Sequence, residues 1–207
     1  MRMTLRLLRL CFGLFLFGLG VAIMVQAGIG LDPWTVLAQG IALRSGIGIG
    51  WVILLIGAVV LLMWIPLRQK PGIGTVANIL LVGLAVELGV AVIPPITGWF
   101  WQLLTFLAGL LVLAIASGIY IGAHLGTGPR DGLMTGLNQR FGWPIWLSRF
   151  LVEGSVLALG WLLGGTVGLG TVLFALLVGP AVHVSLALLD PRRPRRTKLA
   201  RRWHRVR

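Results

Sequence analysis

The acidic residues are the side chains best suited to chemistry in this chain, because there are only five among 207 residues. Four of them, Asp32, Glu87, Asp131 and Glu153, lie inside apolar segments or beside them, and Asp190 follows the last such segment. A charge near the centre of a bilayer costs roughly 2.5–3.5 kcal/mol on insertion scales. An acid inside a membrane segment therefore needs a partner or a function.

Glu87 has a counterpart in the second half of the chain. Residues 72–88 return 96 positions later as residues 168–184, with ten of seventeen positions identical, and His183 takes the place of Glu87. Two ionisable groups related in this way could form a pair, a proton relay or a coupling site for an ion. The alternative is that both lie near helix ends, in the headgroup layer.

A second group of charges stands beside two prolines, Pro33 and Pro129, which the same 96-residue shift relates. Asp32 precedes the first proline, and Arg130 and Asp131 follow the second. A helix N-terminus carries about half a positive charge and free N–H groups, so two such ends facing a cavity would suit an anionic or zwitterionic solute. The alternative is that Asp32 and Asp131 only cap their helices.

Arg149 and Glu153 are four residues apart and share a helix face, which predicts a supporting ion pair that neutralises both. The sequence contains no His-Glu-x-x-His, no Gly-Lys-Ser/Thr and no cysteine pair, since Cys11 is the only cysteine. We therefore expect no enzymatic activity, no metal site and no cofactor.

The composition is that of a membrane protein. Hydrophobic residues make up 57% of the chain and charged residues 11%, against about 25% charged in an ordinary soluble domain. The mean hydropathy is +0.97. The helical spacing of the apolar segments, their length and the glycine-rich breaks between them predict an all-α membrane protein.

The net charge of +13 is concentrated at the C-terminus, where nine of the eighteen basic residues lie within 192–207. This tail could fix the topology, bind anionic lipid or bind nucleic acid, and we expect the first two rather than the third. The proposed lipid-facing residues of the tail are Arg192, Arg193, Arg195, Arg196, Arg201 and Arg202.

The repeat divides the chain into two units and a tail. The first unit, 1–98, has predicted spans at about 6–28, 50–67 and 73–92 and a short helix at 32–44. The second unit, 99–189, has predicted spans at about 99–122, 146–164 and 168–188 and a short helix at 129–140; the tail is 190–207. A helix of about 12 residues is about 18 Å long, too short for a hydrocarbon core about 30 Å thick. Each short helix must therefore be interfacial or re-entrant.

The basic residues outside the tail favour a cytoplasmic N-terminus, because only Arg44 then falls on the outer side. Three spans in each unit would make the second unit enter the membrane upside down relative to the first. The expected fold is thus six transmembrane helices in two inverted repeats, a plan that many transporters share.

Four motifs resemble those of the YczE/YyaS/YitT family of bacterial membrane proteins. They are Gly-Leu-Asp32-Pro-Trp, Trp64-Ile-Pro-Leu-Arg-Gln-Lys-Pro-Gly-Ile-Gly-Thr75, Gly126-Thr-Gly-Pro-Arg-Asp-Gly-Leu-Met134 and Gly164-Gly-Thr-Val-Gly-Leu-Gly-Thr171, and the resemblance covers roughly residues 10–188. It implies a multi-pass protein of the bacterial inner membrane, which fits the expected cytoplasmic termini.

The expected function is passage of a small solute, by a carrier or a channel, through a site between the repeats. The candidate site residues are Asp32, Glu87, Arg130, Asp131 and His183. The alternative is a scaffold or accessory protein that binds lipid or a partner protein. The sequence predicts neither the solute nor the oligomeric state.

Overall fold

The computed structural model describes residues 3–126 and 128–189, and within these residues it contains helices and no strands. The expected all-α class is therefore confirmed. The eight helices of the described residues are α1 (Met3–Ala27), α2 (Pro33–Ser45), α3 (Ile49–Met63), α4 (Ile73–Val92), α5 (Trp99–Ile121), α6 (Pro129–Phe141), α7 (Ile145–Leu162) and α8 (Leu169–Leu189).

Five of these helices, α1, α4, α5, α7 and α8, are long and apolar enough to cross a membrane. Helix α3 has 15 residues and falls short of that length by itself. It follows α2 after a bend of 118°, and the two together make a sixth candidate span. The described residues thus contain five or six candidate spans.

The two short helices share an opening proline and a closing glycine, but only α2 has a side-chain cap, because Gly128 precedes α6 and Asp131 does not cap it. Asp32 caps α2 by accepting hydrogen bonds from two backbone N–H groups of the first turn, and Pro33 and Pro129 open α2 and α6. Gly46 and Gly142 end them in the left-handed conformation, with φ of 73° and 71°. Each helix has 13 residues and is about 20 Å long.

The core is built around α1, which packs along both α4 and α5. Its buried side chains include Leu14 and Met24, which lie in one cluster with Val86 and Phe106. Glycines allow this close packing, since a Cβ at Gly20 of α1 would lie 2.8 Å from the backbone nitrogen of Leu113 in α5.

Each short helix packs against a helix from the other half of the sequence, α2 against α7 and α6 against α3. At the second contact the indole ring of Trp64 occupies the space beside Gly132, where a Cβ would lie 1.9 Å from a ring carbon. The indole N–H of Trp64 also donates to the carbonyl of Pro129 over 3.0 Å. The two halves are therefore interlocked rather than placed side by side.

A reciprocal pair of backbone hydrogen bonds also joins the two halves. Gly74 N–H, in the first turn of α4, donates to the carbonyl of Leu125 over 2.9 Å, and Gly170 N–H, in the first turn of α8, donates to the carbonyl of Ile29 over 2.7 Å. A shift of 96 residues converts Gly74 into Gly170 and Ile29 into Leu125. The start of each long helix is therefore held by the loop that precedes the other half's short helix.

Candidate functional site

A cavity of about 550 Å³ lies where the N-terminal ends of α2 and α6 approach each other. Every helix of the described residues contributes to its wall, and most of the lining is apolar. Its polar lining consists of Asp32, Asn78, Ser117, Tyr120, Arg130, Asp131, Arg149, Glu153 and Thr171. Five of the seven candidate residues predicted from the sequence, counting the ion pair, therefore face one space.

Asp32 and Arg130 connect the two short helices directly. The guanidinium Nη1 of Arg130 lies 3.1 Å from Oδ1 of Asp32, although the two residues are 98 positions apart. The same carboxylate oxygen accepts from the N–H groups of Trp34 and Thr35 over 3.2 and 3.3 Å. Asp32 is thus a helix cap, as one alternative predicted, and it is also an ion-pair partner of Arg130.

Arg130 also contacts an aromatic ring of the opposite short helix. Its guanidinium carbon lies 5.2 Å from the centre of the Trp34 ring, within the range of a cation–π contact. Trp34 is buried, whereas about a third of the Arg130 side chain is exposed. The arginine therefore lies at the cavity and bridges the two halves of the chain.

A second cluster joins α6 to α7. Arg149 donates from Nε toward Glu153 at 3.2 Å and from Nη2 toward Asp131 at 3.4 Å. The predicted neighbours on α7 thus form an i,i+4 ion pair, and Asp131 of α6 shares the same guanidinium. The side chains of Arg149 and Asp131 are 57% and 51% exposed, so the cavity is not sealed on this side.

Glu87 and His183 do not line this cavity among the described residues. Oε2 of Glu87 accepts from the backbone N–H of Gly50 over 2.9 Å, which fastens α4 to the first turn of α3. A carboxylate at a helix N-terminus is favourable because the free N–H groups there carry partial positive charge. His183 lies on an exposed part of α8. Glu87 and His183 are therefore equivalent in the sequence repeat, but neither of them lies at the cavity.

Several cavity residues were not among the predicted candidates. Tyr120 and Trp34 are the clearest cases, and Tyr120 packs edge-on against Phe17 at a centroid distance of 5.9 Å. Tyr120 is the single tyrosine of the chain and lies within an apolar helix, which is a signal that sequence reasoning could have used. The expected lipid-binding arginines of the tail, Arg192 to Arg202, lie outside the described residues.

Comparison with known proteins places the chain among membrane proteins. A family model described as "Family of unknown function (DUF6198)" matches residues 4–186. An uncharacterized protein of Haemophilus influenzae is 43% identical over 87% of this chain and 83% of its own length. The uncharacterized membrane protein YczE of Bacillus subtilis is 28% identical over 84% of this chain and 82% of its own length.

The uncharacterized protein YyaS of Bacillus subtilis is 25% identical over 86% of this chain and 90% of its own length. No solved structure matches the chain. The resemblance seen in the motifs is thus confirmed, and the apolar helices and the named relative agree on a multi-pass membrane protein. The chain belongs to the DUF6198 family, and it is similar to YczE and YyaS.

Proposed function

We propose that this protein carries or conducts a small solute across the membrane, and that the cavity between α2 and α6 lies on the pathway. The observation that carries the proposal is the gathering of Asp32, Arg130, Asp131, Arg149 and Glu153 around one space of about 550 Å³. Charged groups at membrane depth are costly and usually mark a solute or ion pathway. A cavity of this size is also within the range of small-molecule sites.

The proposed architecture has six spans, which are α1, α3, α4, α5, α7 and α8, in two repeats of opposite orientation. Two backbone hydrogen bonds, Gly74–Leu125 and Gly170–Ile29, support this architecture. A two-fold axis that relates the repeats would superpose each of these bonds on the other. Helices α2 and α6 would then be re-entrant and enter from opposite faces. Broken or short helices that meet near the midplane are the usual place for a transporter's site.

The proposed orientation places both termini in the cytoplasm, in a bacterial inner membrane. This orientation follows from the basic residues of the short loops, which are expected on the cytoplasmic side. It assigns the loops before α2 and α6 to opposite sides of the membrane. Ser45 and Phe141, which the 96-residue shift relates, end the two short helices. Cysteines introduced at these two positions should react with an impermeant thiol reagent from opposite faces, and reaction from one common face would reject the inverted arrangement.

The pathway itself is testable without knowing the solute. In a Cys11→Ser background, Ser117→Cys and Ala175→Cys each place one thiol on the cavity wall, and Leu88→Cys places one on an exposed position outside it. We expect a charged methanethiosulfonate reagent to reach both cavity thiols from either side of membrane vesicles. The thiol at position 88 should stay unreacted, since a lipid-facing position has no water to deliver the reagent.

The alternative function, a membrane scaffold or accessory protein, predicts a different result. A closed cavity would leave the thiols at Ser117 and Ala175 unreactive, or reactive from one side under all conditions. Either pattern, obtained with correctly folded protein, would reject the pathway and favour the scaffold.

A further inference from the structure

The two halves of the chain contribute different chemistry to the cavity, although the sequence repeat relates the positions concerned. Arg130, Asp131, Arg149 and Glu153 all come from the second half of the chain. The residues 96 positions earlier are Trp34, Thr35, Ile53 and Gly57, none of which carries a charge. Asp32 is the one charged residue that the first half contributes to this lining, so four of the five charged groups around a solute would come from the second half.

The charged residues that line the cavity include more acids than bases. Arg130 pairs with Asp32, and Arg149 is shared between Asp131 and Glu153. Three carboxylates thus face two guanidinium groups, which leaves one negative charge when all five are ionised. Asp131 and Arg149 are more than half exposed, whereas the Glu153 side chain is 35% exposed. The surplus negative charge of this cluster favours a solute that brings one positive charge. The helix N-termini alone had suggested an anionic or zwitterionic solute, and the carboxylates change that expectation.

The aromatic residues that line the cavity can also stabilise a cation. The aromatic lining consists of Phe17 and Trp34 from the first half of the chain and Tyr120 and Phe174 from the second half. Aromatic faces attract organic cations, and this attraction is stronger where water is excluded. The same rings provide apolar surface for the body of such a solute.

The cavity is open toward one pair of helices. Helix α3 packs along α4, where a Cβ at Gly83 would lie 2.7 Å from the carbonyl oxygen of Gly50. The corresponding helices α7 and α8 do not pack along each other, and a Cβ at Gly179, the counterpart of Gly83, would meet no atom within 4 Å. Both helices carry apolar, largely unburied surfaces, as expected for spans in contact with lipid, so with α7 and α8 in the membrane this gap would open toward the bilayer.

From these observations we infer that the solute is an amphiphilic organic monocation that enters the cavity from the bilayer between α7 and α8. Its charge lies beside Asp131 and Glu153, and its apolar body lies against the aromatic and aliphatic residues that line the rest of the cavity. This inference rests on the proposed function and names the class of solute for the same cavity.

The test uses two probes of the same shape and opposite charge, tetraphenylphosphonium and tetraphenylborate. Binding is measured by equilibrium dialysis to the full chain in nanodiscs of uncharged lipid, with empty nanodiscs as the background for partition into lipid. We expect saturable binding of the phosphonium and none of the borate. Glu153→Gln, which removes the surplus charge and keeps an acceptor for Arg149, should weaken phosphonium binding at least tenfold.

Two further variants make the result specific. Glu87→Gln is the same chemical change outside the cavity, and it should leave phosphonium affinity within twofold. Gly179→Leu adds a side chain where the structure has room, so the protein should fold, as judged by gel filtration, while phosphonium association becomes at least fivefold slower.

Equal binding of the two probes, or unchanged affinity in Glu153→Gln, would overturn the assignment of a cation. Unchanged association in Gly179→Leu would overturn access between α7 and α8. Neither result depends on the cysteine labelling. If the cavity thiols react from both sides while the probes bind equally, the pathway stands and only the solute class is wrong.

Discussion

Replacing Asp32 separates the two roles that the structure gives this residue. Asp32 is 4% exposed, and one of its oxygens accepts from Trp34 N–H, Thr35 N–H and Arg130. Loss of an N-cap costs about 1 kcal/mol. A hydrogen bond to a charged group contributes about 1.5–3 kcal/mol, which we reduce to about 1 kcal/mol because the Arg130 side chain is 35% exposed and solvent screens the pair.

Asp32→Ala should therefore lower the free energy of unfolding by about 2 kcal/mol, the sum of both losses. Asp32→Asn should lower it by about 1 kcal/mol, since asparagine caps a helix as well as aspartate does and loses only the ion pair. The measurement is equilibrium unfolding in mixed micelles of increasing SDS content, followed by circular dichroism. In an Arg130→Gln background, Asp32→Asn should have almost no further effect.

Two outcomes would refute this reasoning. Equal destabilisation by alanine and asparagine would mean that the cap contributes nothing. An asparagine variant as stable as the parent chain would mean that the ion pair with Arg130 contributes nothing, and the contact between the short helices would then depend on packing alone.

The remaining predictions concern the contacts that hold the helices in place. Gly132→Ala should destabilise the protein by about 1–3 kcal/mol because the new Cβ would overlap the Trp64 ring, whereas Gly154→Ala, where a Cβ meets nothing within 4 Å, should be neutral or stabilise by up to about 1 kcal/mol. Equal effects in the same unfolding assay would contradict the packing. Glu87→Leu should lower the free energy of unfolding by about 1–3 kcal/mol because the N–H of Gly50 loses its acceptor. Glu87→Gln keeps an acceptor and should lower it by less than half as much. A leucine variant as stable as the parent chain would exclude this contact.

The helices could be predicted from the sequence because their signals are local. Pro33 and Pro129 open the short helices, Gly46 and Gly142 end them, and the apolar runs determine the long ones. The ion pair on α7 was predictable for the same reason, since a spacing of four residues places two side chains on one helix face. Each of these features depends only on residues close together in the chain.

The composition of the cavity could not be predicted in this way. The pair Arg130–Asp32 spans 98 residues, and the acceptor for Gly50 lies 37 residues away on the next helix. Such contacts depend on how the helices pack, which repeat symmetry alone does not give. The repeat does not predict that Glu87 and His183 lie in different surroundings, which follows from the close packing of α3 on α4 and the separation of α7 from α8.

The reciprocal backbone hydrogen bonds of Gly74 and Gly170 have a consequence for how a duplicated chain of this kind could arise. A polypeptide of half this length would expose one unpaired N–H at the start of its last helix and one unpaired carbonyl in its first loop. Two identical copies would satisfy both groups only by dimerising, each supplying what the other lacks. Fusion of the two copies into one gene removes the requirement that they stay identical, and one copy can then acquire Arg130, Asp131 and Glu153 while the other keeps its uncharged residues.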